Sequence, residues 1–196
     1  MTQSRWLVLC LLGAWFLAAL GVGGAGALVD LRPPWPQAIL VSLTLATLLS
    51  LYRIGPIHSW AIHVDPRRLV AFHLTRFVGI YFLVLYSRGE LPYEFAVIGG
   101  WGDIIVAAAA IPLMLTGPLT SGRRRLYLIW NVVGLVDILF VVATATRLAL
   151  ADPASMAPLL RLPLSLLITF VVPVVIATHV WLFRRISDVG VVAGAS

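Results

Sequence analysis

The chain has 196 residues, of which 61% are hydrophobic and only 11% are charged, a composition that excludes an ordinary water-soluble domain. All 14 basic residues are arginines, which excludes lysine chemistry such as a Schiff base or a Walker-type phosphate site. The net charge of +6 does not indicate nucleic acid as a partner, because the arginines fall in short loops between apolar stretches, where membrane topology explains them. The single cysteine, Cys10, excludes an intramolecular disulfide.

Six apolar stretches follow one another along the chain, each long enough to cross a hydrocarbon core of about 30 Å. Prolines mark the starts of several of them, such as Pro66 after Asp65 and Pro158 before the last stretch. The sequence therefore predicts an all-α polytopic membrane protein with a single transmembrane helical domain over residues 1–196. The helices are expected near residues 6–28, 36–52, 66–87, 94–115, 124–148 and 158–185.

The first apolar stretch also resembles a secretory signal peptide, because Arg5 precedes it and the segment Ala25-Gly26-Ala27 follows it. Its apolar run of about 20 residues exceeds the usual signal core of about 7 to 15 residues, so we expect a retained membrane helix. Small residues such as Gly13 and Gly21 suit this helix to close packing. The first two helices are therefore predicted to be structural.

The arginines are distributed unevenly between the loops on the two sides of the predicted helices. The side that carries both termini holds nine of them: Arg5, Arg53, Arg67, Arg68, Arg123, Arg124, Arg125, Arg184 and Arg185. The other side holds four: Arg32, Arg88, Arg147 and Arg161. Because cytoplasmic loops carry the excess of arginine, we predict an N-in/C-in bundle of six helices. The predicted location is the bacterial cytoplasmic (inner) membrane, with the lipid bilayer as the main partner.

Polar side chains at membrane depth are costly and usually face the interior of a helix bundle, so they are the candidate site residues. Six stand out: His73, Arg76, Asp103, Asn131, Asp137 and His179. Counted along the helices from the flanking arginines, and for Asp103 from Glu94 on the outer side, the histidines lie about 7 to 8 Å inside the cytoplasmic boundary and the aspartates about 16 to 18 Å inside it. We therefore predict a polar pocket for an ion or a substrate, bounded by the third to sixth helices.

Three further features of these helices bear on the predicted pocket. On the fifth helix Asn131, Gly134 and Asp137 share one face, and the glycine allows a neighbouring helix to approach closely. On the last helix Pro173 has no N–H, which leaves the carbonyl of Thr169 as a spare acceptor. The tryptophans Trp101 and Trp130 either line the pocket or pack in the core.

The charges of the predicted pocket do not balance. Arg76 can neutralise one aspartate, so either Asp103 or Asp137 is expected to lack a fixed partner. Burial would then keep the second carboxyl protonated or require a cation. The best interpretation is a proton-linked transporter or channel for a small molecule or an ion. Because we find no internal repeat, such a chain is expected to form a homo-oligomer or to join other membrane-complex partners.

Three alternatives use the same residues. The first is a membrane protein that binds haem b, with His73 and His179 at equal depth as axial ligands and Arg76 paired with a propionate. The second is a metal site of the two histidines and one aspartate, which their difference in depth of about 8 to 10 Å disfavours. The third is a buried network that fixes helix register in a structural membrane subunit of a larger complex. No catalytic residue is predicted, and enzymatic activity is left undetermined.

Overall fold

The computed structural model describes the backbone of residues 2–194 and the side chains of residues 4–189. Within these ranges the chain is helical and has no strand, which confirms the all-α prediction. Six of its helical segments are long and apolar enough to cross a membrane. In chain order the helices are α1 (Thr2–Gly24), α2 (Trp35–Arg53), a short α3 (Gly55–His63), α4 (Pro66–Ser87), α5 (Glu94–Leu115), α6 (Arg124–Ala151) and α7 (Val172–Gly194).

The predicted end of the first helix and the predicted start of the last helix differ from those in the structure. The first helix ends at Gly24 rather than near residue 28, and the chain turns at Gly26, whose φ of 67° favours glycine. The prediction that the last helix starts at residue 158 is wrong, because Pro153–Leu160 forms a separate 3-10 helix. A π-helical turn at Leu167–Val171 then leads into α7. Proline lacks the N–H that a continuous helix needs, which explains the break around Pro163.

The chain divides into two compact units. Unit 1 contains the chain up to Val64 together with Thr146–Ala177. In this unit the indole Nε1 of Trp15 donates to the carbonyl of Thr169 at 2.8 Å. Trp15 of α1 therefore donates to the carbonyl of Thr169 that Pro173 leaves without its helical partner. The sequence does not indicate this contact.

The glycines of α1 differ in how closely the described residues pack against them. Among the described residues, a Cβ added at Gly13 or Gly21 would have no neighbour within 4 Å. A Cβ added at Gly23 would instead lie 2.6 Å from Ser165 Oγ and 2.8 Å from Leu162 Cδ2. Within the described residues, Gly23 is therefore the glycine of α1 that needs the space, and close packing at Gly13 and Gly21 stays a prediction.

Unit 2 contains Asp65–Ala145 and the chain from Thr178 onward. Its first helix, α4, begins at Asp65, whose carboxylate accepts a hydrogen bond from the backbone N–H of Arg67 at 2.9 Å. The guanidinium of Arg67 also donates to this carboxylate, and this bond holds the pKa of Asp65 below its usual value. The N-terminal boundary predicted for α4 is confirmed by this cap.

Two helices of unit 2 depart from regular α geometry in their membrane-length segments. Helix α4 tightens into a 3-10 turn over His73–Phe77, and α5 opens with a π-helical turn over Glu94–Gly99. Irregular turns of this kind often occur at functional positions. The two helices are in close contact at Gly79 and Gly100. A Cβ added at Gly79 would collide with the carbonyl oxygen of Gly100. This contact fixes the spacing of α4 and α5 beside the candidate site.

Candidate functional site

All six candidate residues lie in unit 2, and Arg76 is the centre of their contacts. Its Nε donates to Asp103 Oδ1 on α5 at 2.6 Å, and its Nη2 donates to Asp137 Oδ2 on α6. Its Nη1 donates to the carbonyl of Gly134 at 2.9 Å. The planar guanidinium carries its donors in a fixed fork, so a single side chain can bind several acceptors in different directions. The expectation that the second aspartate lacks a partner is therefore wrong, because both carboxylates share Arg76.

Shared contacts do not balance the charges of this group, which we call the Arg76 cluster (Arg76, Asp103 and Asp137). One guanidinium carries one positive charge, and two ionised carboxylates would leave the cluster with one negative charge in excess. The exposed fractions of the side chains of Arg76 and Asp103 are only 2% and 4%, whereas that of Asp137 is 17%. Because an uncompensated charge is costly away from water, the imbalance is a property that any function of this cluster must accommodate.

His73 and His179, which were predicted to lie at equal depth, are in direct contact. Their ring centroids lie 4.2 Å apart, and both side chains are completely buried. Trp130 packs against both rings, with centroid distances of 4.9 Å to His73 and 5.5 Å to His179. Its indole N–H donates to the carbonyl of Val106 at 3.1 Å, and Trp130 is buried beside the two rings, whereas Trp101 is 53% exposed.

Among the residues whose side chains are described, each of the two histidines has one hydrogen-bonding neighbour. His179 Nδ1 lies 2.9 Å from Asn131 Oδ1, and the amide Nδ2 of Asn131 donates to the backbone carbonyl of His179 at 3.0 Å. His73 Nε2 lies 3.1 Å from Thr178 Oγ1. Sequence reasoning missed Thr178, because adjacent residues on a helix point about 100° apart and no periodic pattern joins Thr178 to His73. We call His73, His179, Asn131 and Thr178 the histidine group.

Gly134 joins the histidine group to the Arg76 cluster. Its carbonyl accepts from Arg76, and a Cβ added at this position would lie 2.6 Å from Cε1 and 3.0 Å from Nε2 of His179. The absence of a side chain lets the imidazole lie directly on the backbone of α6. The close approach predicted for Gly134 is thus confirmed, and its occupant is the ring of His179.

Gly134→Ala is expected to destabilise the protein by about 1–3 kcal/mol, because the added methyl overlaps a buried ring that is held by Asn131. The measurement is thermal unfolding of the purified protein in detergent. Gly13→Ala is the matched control and should be neutral or slightly stabilising, since its Cβ meets no neighbour within 4 Å. Equal stability of Gly134→Ala and the wild type would contradict the assignment of this glycine as a spacing residue.

The geometry does not fit the haem and metal alternatives. A porphyrin lies between its two axial imidazoles, but the rings of His73 and His179 pack directly on each other at 4.2 Å. Among the described side chains, no group of three or more His, Cys, Asp or Glu residues is placed to hold a metal ion. Each aspartate that could complete such a site is bound to Arg76 instead.

The six long apolar helices indicate the class of this molecule, an integral membrane protein. Residues 33–187 match the family described as "Domain of unknown function (DUF8737)", and the chain belongs to this family. The matched range includes all six candidate residues. No curated protein and no solved structure matches the chain.

Proposed function

We propose that this protein binds and releases a proton at the Arg76 cluster, and that it couples this proton to the passage of a small molecule or an ion across the membrane. The observation that carries the proposal is one buried guanidinium held between two carboxylates. Ionisable groups within membrane helices commonly mark proton or ion pathways. A cluster that is neutral only with one bound proton has the chemistry that such a pathway requires.

Asp137 is the carboxyl that exchanges the proton in this proposal. Arg76 donates to both carboxylates, so its bonds do not distinguish them, and the two side chains differ in exposure, 4% for Asp103 and 17% for Asp137. Asp137 is the less enclosed of the two, and the proposal therefore assigns the exchanged proton to it. Protonation of Asp137 removes the excess negative charge and weakens its bond to Nη2. This change gives the cluster two states, which coupling to a second ligand needs.

The proposal also includes the orientation of the protein and the membrane in which it lies. The excess of arginines on the side of both termini supports an N-in/C-in arrangement in a cytoplasmic membrane. The histidine group then lies toward the cytoplasm and the Arg76 cluster lies near the middle of the bilayer. Assembly as a homo-oligomer or with other membrane proteins would supply further helices around the pathway.

Asp137→Asn is expected to reduce by about tenfold or more the charge displaced after a pH jump, because the amide cannot bind the proton. The measurement is the transient current of the reconstituted protein on a supported membrane, which needs no knowledge of the second ligand. Asp30→Asn is the matched control, since Asp30 is an exposed carboxylate of unit 1, and its current should equal that of the wild type. A full current from Asp137→Asn would exclude the proposed function.

A structural role is the second candidate, and one observation favours it. Each nitrogen of the Arg76 guanidinium already has an acceptor, as in a buried network that fixes the register of three helices. A structural membrane subunit of a larger complex would give no displacement current in the wild type. The pH-jump measurement therefore separates the two candidates.

A further inference from the structure

The tautomer of His179 follows from the hydrogen bonds of Asn131. The amide Nδ2 of Asn131 donates to the carbonyl of His179, so its Oδ1 faces the imidazole. An amide oxygen only accepts hydrogen bonds, and Nδ1 of His179 must therefore carry the proton. In the neutral ring Nε2 is then a bare acceptor.

Two imidazole nitrogens of the histidine group have no hydrogen-bond partner among the described residues. They are Nε2 of His179 and Nδ1 of His73, on side chains that are both completely buried. Most buried polar atoms in proteins are hydrogen-bonded, so an unpaired one requires an explanation. A group that accepts and passes on a proton is one such explanation, because its nitrogen must be free to bind it.

The bare nitrogen of His179 is also close to the Arg76 cluster. A Cβ on Gly134 would lie 3.0 Å from this Nε2, and the carbonyl of the same glycine accepts from Arg76. One backbone position therefore separates the free imidazole nitrogen from the guanidinium that binds Asp137. The charged or titratable groups of this region are Arg76 on α4, Asp103 on α5, Asp137 on α6 and the two histidines.

We propose that His73 and His179 form a proton-binding station that exchanges one proton with Asp137. This inference rests on the proposed function and names the route by which the proton reaches the Arg76 cluster. A proton binds at the free nitrogen of one imidazole, which becomes an imidazolium. In the transfer an N–H bond of the imidazolium breaks and an O–H bond forms on the carboxylate of Asp137. The imidazolium loses its positive charge as the carboxylate loses its negative charge.

Charge balance limits the station to one proton. With both carboxylates ionised, Arg76 leaves one negative charge in excess, and one imidazolium compensates it. A second imidazolium would lie against the first, since the ring centroids are only 4.2 Å apart, and would be repelled by it. The single proton is therefore bound either by the station or by Asp137.

The first test measures the wild-type protein alone, so it does not depend on the folding of a variant. Histidine-specific 15N NMR of the full chain in lipid vesicles should show His179 with a proton on Nδ1 and a bare Nε2 near neutral pH. Acidification should protonate one imidazole of the pair before the other. A proton on Nε2 of neutral His179, or simultaneous protonation of both rings, would overturn the proposal.

The second test is the rate of the current after a pH jump. His73→Phe keeps a ring of similar size, and His179→Gln keeps a polar side chain; each is expected to slow the current by about tenfold or more. The total displaced charge should remain, because Asp137 is still present. The control is His63→Phe, an exposed histidine of α3, which should not change the rate.

The outcomes separate this inference from the proposed function. Unchanged rates in both His73→Phe and His179→Gln, together with a lost current in Asp137→Asn, would refute the station while the proposed function stands. An unchanged current in Asp137→Asn would overturn both, because the relay ends on that carboxyl. If the two histidine variants give slow currents but displace the full charge, the result would support both the station and the proposed function.

Discussion

Arg76→Leu is expected to lower the free energy of unfolding by about 3–5 kcal/mol near neutral pH, because two buried carboxylates then lose their cation. The guanidinium of Arg76 donates to Asp103, Asp137 and the carbonyl of Gly134, so all three acceptors lose a partner together. Thermal or denaturant unfolding in detergent measures the loss. The variant should regain stability as the pH falls, since protonation removes the two buried charges.

A set of combined substitutions controls for the loss of the side chain itself. Arg76→Leu together with Asp103→Asn and Asp137→Asn should recover most of the lost stability, because no uncompensated charge remains. Arg76→Lys should be intermediate, since an ammonium keeps the charge but lacks the planar fork. If Arg76→Leu and the triple variant are equally unstable, the loss comes from packing and not from charge.

Gly79→Ala is the second substitution with a large expected effect, about 3 kcal/mol of lost stability. The added Cβ would collide with the carbonyl oxygen of Gly100 and would lie 3.1 Å from the Cβ of Asp103. A backbone carbonyl of a facing helix cannot rotate away as a side chain does, so α4 and α5 must move apart. The measurement is again thermal unfolding in detergent.

This substitution should also reduce the displacement current, because moving α5 separates Asp103 from Arg76. Gly21→Ala is the matched control, since a Cβ there has no neighbour within 4 Å and a helical alanine is favourable. A stable Gly79→Ala with a normal current would show that the two helices tolerate a wider spacing.

Much of the site could be predicted from the sequence because depth along a membrane helix follows from counting residues. A rise of about 1.5 Å per residue places His73 and His179 in one layer, and the structure brings their rings into contact. The same count puts the two aspartates deeper, within reach of the long side chain of Arg76. Transport, the N-in/C-in orientation and the single bundle stay predictions.

The parts that the sequence did not predict depend on how side chains point around each helix. Thr178 contacts His73 because of the rotation that packing gives to α7. The 3-10 turn over His73–Phe77 places residues three apart directly above each other, which a regular helix does only approximately. Neither the rotation nor the local tightening leaves a periodic signal in the chain.

The sequence by itself determined the membrane class, the number of long apolar helices and the polar residues that they carry, because length and hydropathy act within each helix. Only the tertiary structure decided that Arg76 serves both aspartates and that Asn131 fixes the tautomer of His179. Those contacts join residues of different helices. Their distances depend on helix rotation, on close glycine contacts and on the direction of each side chain, none of which hydropathy encodes.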